Sequence, residues 1–316
     1  MSKIIHILGT EIIPGSSHKL SIDFAKLYTR TKIEVPVIIE RAKGDGPTLL
    51  LCAGIHGDEV NGVEIVRQII SQKINKPKRG MIICIPLINV FGFLNGTRAF
   101  PDGRDLNRAF PGSKSGSLAG RFAHHLMNEI VPHADYILDF HTGGAQRFNI
   151  TQLRISHEEE TLALAKKLNI PFILFSNQRK ETFRESCVKL GIKVILFEGG
   201  KSLFLNKLVT KKGIEAASNL IHALNLASHS KDSEVTPTLI AKNKWVRASK
   251  SGMFRSYARN GSKISKGEIL GTISDPFGQF EIKVKASQNG HLICINHFPL
   301  VNQGDAIFNI GIEHQE

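Results

Sequence analysis

Three apolar runs in this chain each stop on a side chain of metal-binding type. Leu49 to Ile55 runs into His56-Gly57-Asp58-Glu59, Tyr136 to Phe140 into His141, and Lys193 to Phe197 into Glu198-Gly199-Gly200. Short continuous apolar runs bounded by turn residues are the pattern of strands buried on both faces, as in parallel sheets. A strand that ends on His or Glu and then turns at glycine delivers that side chain to one edge of its sheet. In open parallel sheets the ligand crevice lies outside the carboxyl ends of the strands.

The intervening segments alternate with these runs. Asp58–Ser71 reads as a helix, with Val60, Val63, Val66 and Ile70 on one stripe. Met81–Ile88 reads as a strand, Leu118–Val131 as a helix and Ala134–Phe140 as a strand. Glu158–Asn169 is a helix opened by acids, Phe172–Phe175 a strand, Thr182–Leu190 a helix ended by Gly191, and Ile214–Leu226 a closing helix. Strand-like runs also occur earlier, at Ile4–Leu8 and Glu34–Ile39. The alternation predicts an α/β fold with a mostly parallel (mixed) sheet flanked by helices. Asn89 to Gly116 is rich in Gly and Pro and holds no long element; loops of that length are usually functional. The polar stretch Ser228–Pro237 reads as a linker, dividing a catalytic domain over 1–230 from a second over 238–316. Beyond it, Lys244–Ala248, Gly252–Tyr257, Glu268–Ser274, Phe280–Lys285, Gly290–Asn296 and Ala306–Ile310 are short strands separated by turn residues, a small all-β domain.

Composition sets outer bounds. With 41% hydrophobic and 22% charged residues over 316 positions, the chain can build a globular core. The net charge of +13 is spread along the sequence, without a zinc finger or an aromatic-basic interleaving, so it reads as a solvated surface able to steer anionic substrates rather than as a nucleic-acid site. No apolar run approaches the roughly 20 residues of a bilayer span. Met1 to His6 is too short and polar for a signal-peptide core. A cytoplasmic protein without membrane or nucleic-acid partners is expected. Cys52, Cys84, Cys187 and Cys294 form no CxxC pair and read as reduced structural thiols.

His56 and Glu59 face each other across the turn from strand to helix, and His141 arrives from another strand. Two imidazoles and a carboxylate make a three-ligand zinc site with one position open for water, leaving Glu198 as a base. Asp139 precedes His141 by two, so period-two geometry puts both on one face, where the carboxylate can hold the far N–H of the ligating ring. Gly96 to Gly112 carries Arg98, Arg104, Asn107 and Arg108 on one Gly/Pro-rich loop. Arginine offers a planar fork to carboxylates, so one can bind a substrate carboxylate while another stabilises an oxyanion.

His-Gly-Asp-Glu at 56–59, Gly-Arg-Asp-Leu-Asn-Arg at 103–108, Asp-Phe-His-Thr-Gly-Gly at 139–144 and Phe-Glu-Gly-Gly at 197–200, in that order, resemble the succinylglutamate desuccinylase/aspartoacylase family. That family belongs to the zinc carboxypeptidase-like superfamily, and the resemblance spans roughly residues 45 to 225. It implies one Zn2+ per chain on His56, Glu59 and His141, with Glu198 as general base and then proton donor. It also implies Asn107 and Arg108 as substrate-carboxylate contacts and Arg98 as the oxyanion arginine, with Arg104 competing for a place in the site. The expected activity is hydrolysis of the amide bond of a small N-acyl amino acid; a zinc metallocarboxypeptidase acting on short peptides is the alternative.

A second resemblance lies in the β domain. Ala248 to Gly252, Asn260 to Leu270 and Val284 to Gly290 are similar to a biotinyl/lipoyl-type barrel-sandwich. A carrier would need a lysine at the hairpin where Gln279 stands, so no biotin or lipoate is expected. The resemblance implies a domain that shapes the site entrance or an oligomer contact.

Overall fold

The structure, a computed structural model, describes residues 4–26, 30, 32–177, 179–227 and 235–314. Two short strands, β1 (Ile5–Ile7) and β2 (Thr10–Ile12), pair with each other, and an antiparallel pair follows, β3 (Ser17–Lys26) and β4 (Lys32–Arg41). The chain continues with β5 (Gly44–Ala53), α1 (Val60–Ser71), β6 (Arg79–Ile85), α2 (Val90–Leu94) and α3 (Leu118–Glu129). Next come β7 (Tyr136–Gly143), β8 (Arg147–Ile155), α4 (Glu159–Lys166), β9 (Phe172–Phe175), α5 (Phe183–Lys189), β10 (Lys193–Lys201) and α6 (Lys207–Ala223).

The four strands β6-β5-β7-β10 run parallel in that spatial order. Their continuous apolar character follows from burial on both faces. Along β5, Leu50 and Cys52 pack with α3 and α5, while Leu49, Leu51 and Ala53 pack with α1, α4 and α6. β4 and β8 join the parallel block antiparallel, so the sheet is mixed. Helix α6 begins seven residues earlier than the sequence pattern places it, because Asn206 caps it, accepting from the N–H groups of Leu208 and Val209. Within 89–116 only α2 and a 3-10 turn at Leu106–Arg108 are regular.

Beyond the proposed linker, whose residues 228–234 lie outside the described ones, the chain is all β: β11 (Thr238–Arg247), β12 (Gly252–Ser256), β13 (Lys263–Ile264), β14 (Ile269–Ser274), β15 (Glu281–Lys285), β16 (Gly290–Asn296), β17 (Leu300–Val301) and β18 (Ala306–Glu313). This unit has its own apolar core, around Leu270, Ile273, Leu292, Ile307 and Phe308. It has a four-stranded sheet of its own, β15-β14-β12-β17, but its remaining strands belong to the large sheet. β11 pairs parallel with β9, and β16 pairs antiparallel with β8, so β8-β9-β11-β18-β16 close into a ring that joins the two parts. Across the boundary expected at 230–238 the apolar core changes and a second sheet appears, while the large sheet continues through β11, β13, β16 and β18. Gln279 is exposed on the β14–β15 hairpin, its backbone N–H donating to Asp275.

Candidate metal and active site

The carboxyl ends of β5, β7 and β10 do converge. After β5 the chain turns at Gly54, whose φ of +67° suits glycine, and passes His56 before α1 begins behind Glu59. At Gly57 a Cβ would come within 2.0 Å of the Gly92 carbonyl carbon, so only glycine lets this turn lie against α2. His141 and Glu198 are registered partners on the parallel pair β7–β10.

His56, Glu59 and His141 are buried, and one donor atom from each falls within 4.8 Å of the others. Glu59 stands between the rings: its Oε1 is 2.7 Å from His56 Nδ1 and its Oε2 is 3.0 Å from His141 Nδ1. The Thr142 backbone N–H also donates to Glu59 Oε2 at 3.0 Å. The far ring nitrogens are held by carboxylates, His141 Nε2 by Asp139 at 2.8 Å and His56 Nε2 by Asp105 at 3.2 Å. Burial disfavours the protonated ring at both histidines, yet the neighbouring carboxylates outweigh it and hold both pKa values up, that of His141 strongly. Burial likewise opposes ionisation of Glu59 and Asp105, but the facing imidazoles, joined at Asp105 by Arg98, hold both well below the usual carboxylate range. Three carboxylates around two imidazoles make a buried site that demands positive charge, either protons or a cation.

Glu198, also buried, accepts a hydrogen bond from Asn149 Nδ2 at 2.7 Å on Oε2, and Arg154 Nη1 lies 3.4 Å from its Oε1. Arg98 donates to Glu59 at 3.2 Å and to Asp105 at 3.0 and 3.1 Å. Asn107 is oriented through its Oδ1, which accepts the Phe183 N–H at 2.9 Å, and Arg108 donates to the Asn107 carbonyl. His56, Glu59, His141, Glu198, Arg98, Asn107 and Arg108 all line one pocket of about 420 Å³.

Arg104 departs from the expectation. It is solvent-exposed, faces Asp102 at 3.7 Å and does not line the pocket. The reason is local: a turn that closes through Gly103, at φ +78°, pairs Phe100 with Arg104 through the backbone and sends the Arg104 side chain outward. Of the two, Arg98 lines the pocket and contacts Glu59.

Several residues of the site escape the sequence reading. Asp105 sits inside the Gly-Arg-Asp-Leu-Asn-Arg stretch, where its place between two arginines was the available signal. Arg147, Asn149 and Arg154 belong to β8, part of which reads as a loop because its polar residues interrupt the apolar pattern. Arg179 and Arg184 line the far wall, and Trp245 comes from β11, with Arg147 over its ring at 5.8 Å. Burial lowers the Arg184 pKa to about 10.

The model of the succinylglutamate desuccinylase/aspartoacylase catalytic domain matches residues 45–225. The chain belongs to this family. A relative from Halomonas elongata, N-alpha-acetyl-L-2,4-diaminobutyric acid deacetylase, is 26% identical over 294 residues, covering 87% of this chain and 84% of the relative. Among solved structures, a succinylglutamate desuccinylase/aspartoacylase from Rhodobacter sphaeroides superimposes with a TM-score of 0.85 at 22% identity, over 95% of this chain and 96% of that one. The product-bound ectoine utilization protein EutE from Ruegeria pomeroyi gives a TM-score of 0.84 at 21% identity, over 95% and 97% of the two chains. At these identities the structural likeness establishes the shared α/β fold. No helix among the described residues is long and apolar enough to cross a membrane.

Proposed function

We propose that this protein is a zinc-dependent amidohydrolase that removes the acyl group from a small N-acyl amino acid. One observation carries the reading: a buried His56–Glu59–His141 donor set and a separate buried carboxylate, Glu198, share an arginine-lined pocket. The donor set fits zinc, which takes His nitrogen and carboxylate oxygen, and the acceptors behind both rings fix the tautomers such ligation needs. Zinc, when bound, supplies Lewis acidity to a carbonyl oxygen and to a water molecule.

The remaining roles fall to the chain's own side chains. Glu198 takes the proton of the attacking water and returns it to the leaving amine nitrogen. Arg98 offers N–H donors to the oxyanion, a contribution on the order of 3 kcal/mol. Arg108, with the amide of Asn107 beside it, anchors the substrate carboxylate. The products are a carboxylic acid and a free amino acid. Buried free cysteines suit the cytoplasm, where thiols stay reduced.

The pocket charge bears on the substrate. Arg98, Arg108, Arg147, Arg154, Arg179 and Arg184 line it against only Glu59 and Glu198. That excess favours substrates with more than one carboxylate over the cationic side chain of diaminobutyrate, which the Halomonas relative's substrate carries. A panel of N-acetyl, N-succinyl and N-formyl amino acids, acidic and basic, assayed for amine release with and without chelator, tests the proposal. Chelator-sensitive turnover fastest on acidic members is expected. Absence of turnover by the zinc-loaded protein on every member would reject the reading.

A further inference from the structure

We infer that Asn149 and Arg154 are positioning residues for Glu198, one acting on each carboxylate oxygen. The inference rests on the reading of Glu198 as the base and adds how its carboxylate is aimed.

The register of β8 against β10 carries the argument. Leu196 pairs with Arg154 and Glu198 with Gln152, but Gly200 pairs with Asn149, so β8 holds one extra residue in this interval. Residues five apart on a regular strand point to opposite faces. The irregularity restores Asn149 to the face that Glu198 shares with Arg154. Bulges that re-aim a side chain recur beside active sites.

The contacts divide cleanly. Asn149 Nδ2 donates to Oε2 at 2.7 Å, and Arg154 Nη1 faces Oε1 at 3.4 Å. The terminal torsion of a glutamate is broad, so an untethered carboxylate turns readily. A hydrogen bond on one oxygen and a cation facing the other restrict its plane and leave one edge for the attacking water. Among the described residues Arg154 Nε is buried without a hydrogen-bond partner, while Nη1 faces Glu198. Cys294, registered with Asn149 from β16, is buried beside it and its thiol is pushed up to about 12 by burial. Neither Asn149 nor Arg154 belongs to the metal donor set.

The test uses the zinc-loaded full chain with Asn149→Ala, Arg154→Met and Arg154→Lys, each also placed in a Glu198→Gln background. We expect kcat to fall by about 10- to 100-fold in Asn149→Ala and Arg154→Met, with KM within about twofold and zinc content unchanged. Arg154→Lys should recover part of the loss. In the Glu198→Gln background neither change should reduce turnover further, because the group they act on is gone. A crystal structure of Asn149→Ala should show the Glu198 carboxylate rotated from its wild-type plane. Raised KM at constant kcat, a full additional loss in the Glu198→Gln background, or an unmoved carboxylate with unchanged kcat would each overturn the inference. Wild-type turnover in Glu198→Gln alone would instead remove the base reading on which it stands.

Discussion

Glu198 lies directly across from His141 in the register of the parallel pair β7–β10. Paired residues on neighbouring strands project from the same face, so the sheet itself sets the proposed base beside a proposed metal ligand. His141 turns its ring toward Glu59, and Glu198 turns toward Asn149 and Arg154.

That separation predicts a clean split between metal binding and turnover. Glu198→Gln should keep one zinc per chain and lower kcat by roughly 10²- to 10⁴-fold. His141→Ala should lose the metal as well as the activity. Elemental analysis beside steady-state kinetics measures both; a His141→Ala protein that retains stoichiometric zinc would contradict the ligand assignment.

Asp139 and Asp105 hold the far nitrogens of the two histidines. Asp139→Asn and Asp105→Asn should each weaken zinc affinity by about 10- to 100-fold. Competition with a chelator of known affinity reads this directly. Unchanged affinity in both variants would mean that these carboxylates do not support the ligands.

The arginine loop makes two opposite predictions. Arg98→Ala removes donors beside Glu59 and should cost kcat on the order of 10²-fold or more. Arg104→Ala removes an exposed side chain that lies outside the pocket and should leave kcat and KM close to wild type. A large defect in Arg104→Ala would show that the loop rearranges when substrate binds.

Metal removal should make stability depend on pH in a particular sense. His56 and His141 have raised folded pKa values, burial opposing the protonated rings and the neighbouring carboxylates outweighing it. Their contribution is fully present below the unfolded value of about 6.5 and is lost as pH rises through the folded values. Glu59 and Asp105, with depressed values, act oppositely: their contribution is present above about pH 4 and is lost as pH falls through the folded values. The chelator-treated protein should therefore melt at a lower temperature as pH rises past about 6.5, and added zinc should raise Tm more in alkaline than in acidic buffer, since ligation needs deprotonated histidines. A Tm of the metal-free protein that climbs over that range would refute the assignment.

Much of the site could be read from local pattern. An apolar run that stops on His56, His141 or Glu198 reports both the strand and the end at which it delivers its side chain, because burial on both faces forces the run to be continuous. Asp139 followed from strand periodicity in the same way. Strand β8 was harder. Asn149, Gln152 and Arg154 interrupt the apolar pattern; Asn149 and Gln152 are buried, with β10 paired alongside and β16, about 140 residues further on, paired at Asn149. The start of α6 was missed because its first turns are held by a cap rather than by an apolar stripe.

By itself the amino-acid sequence determined the elements of the parallel core, the residues at their ends and the family to which the chain belongs, since each depends on neighbours a few positions apart. Only the tertiary structure decided that Arg98 and not Arg104 faces Glu59, that Asp105 reaches His56, and that C-terminal strands extend the large sheet and bring Trp245 to its pocket. Those outcomes depend on backbone turns and on pairing between distant strands, where the energy comes from contacts that no local pattern records.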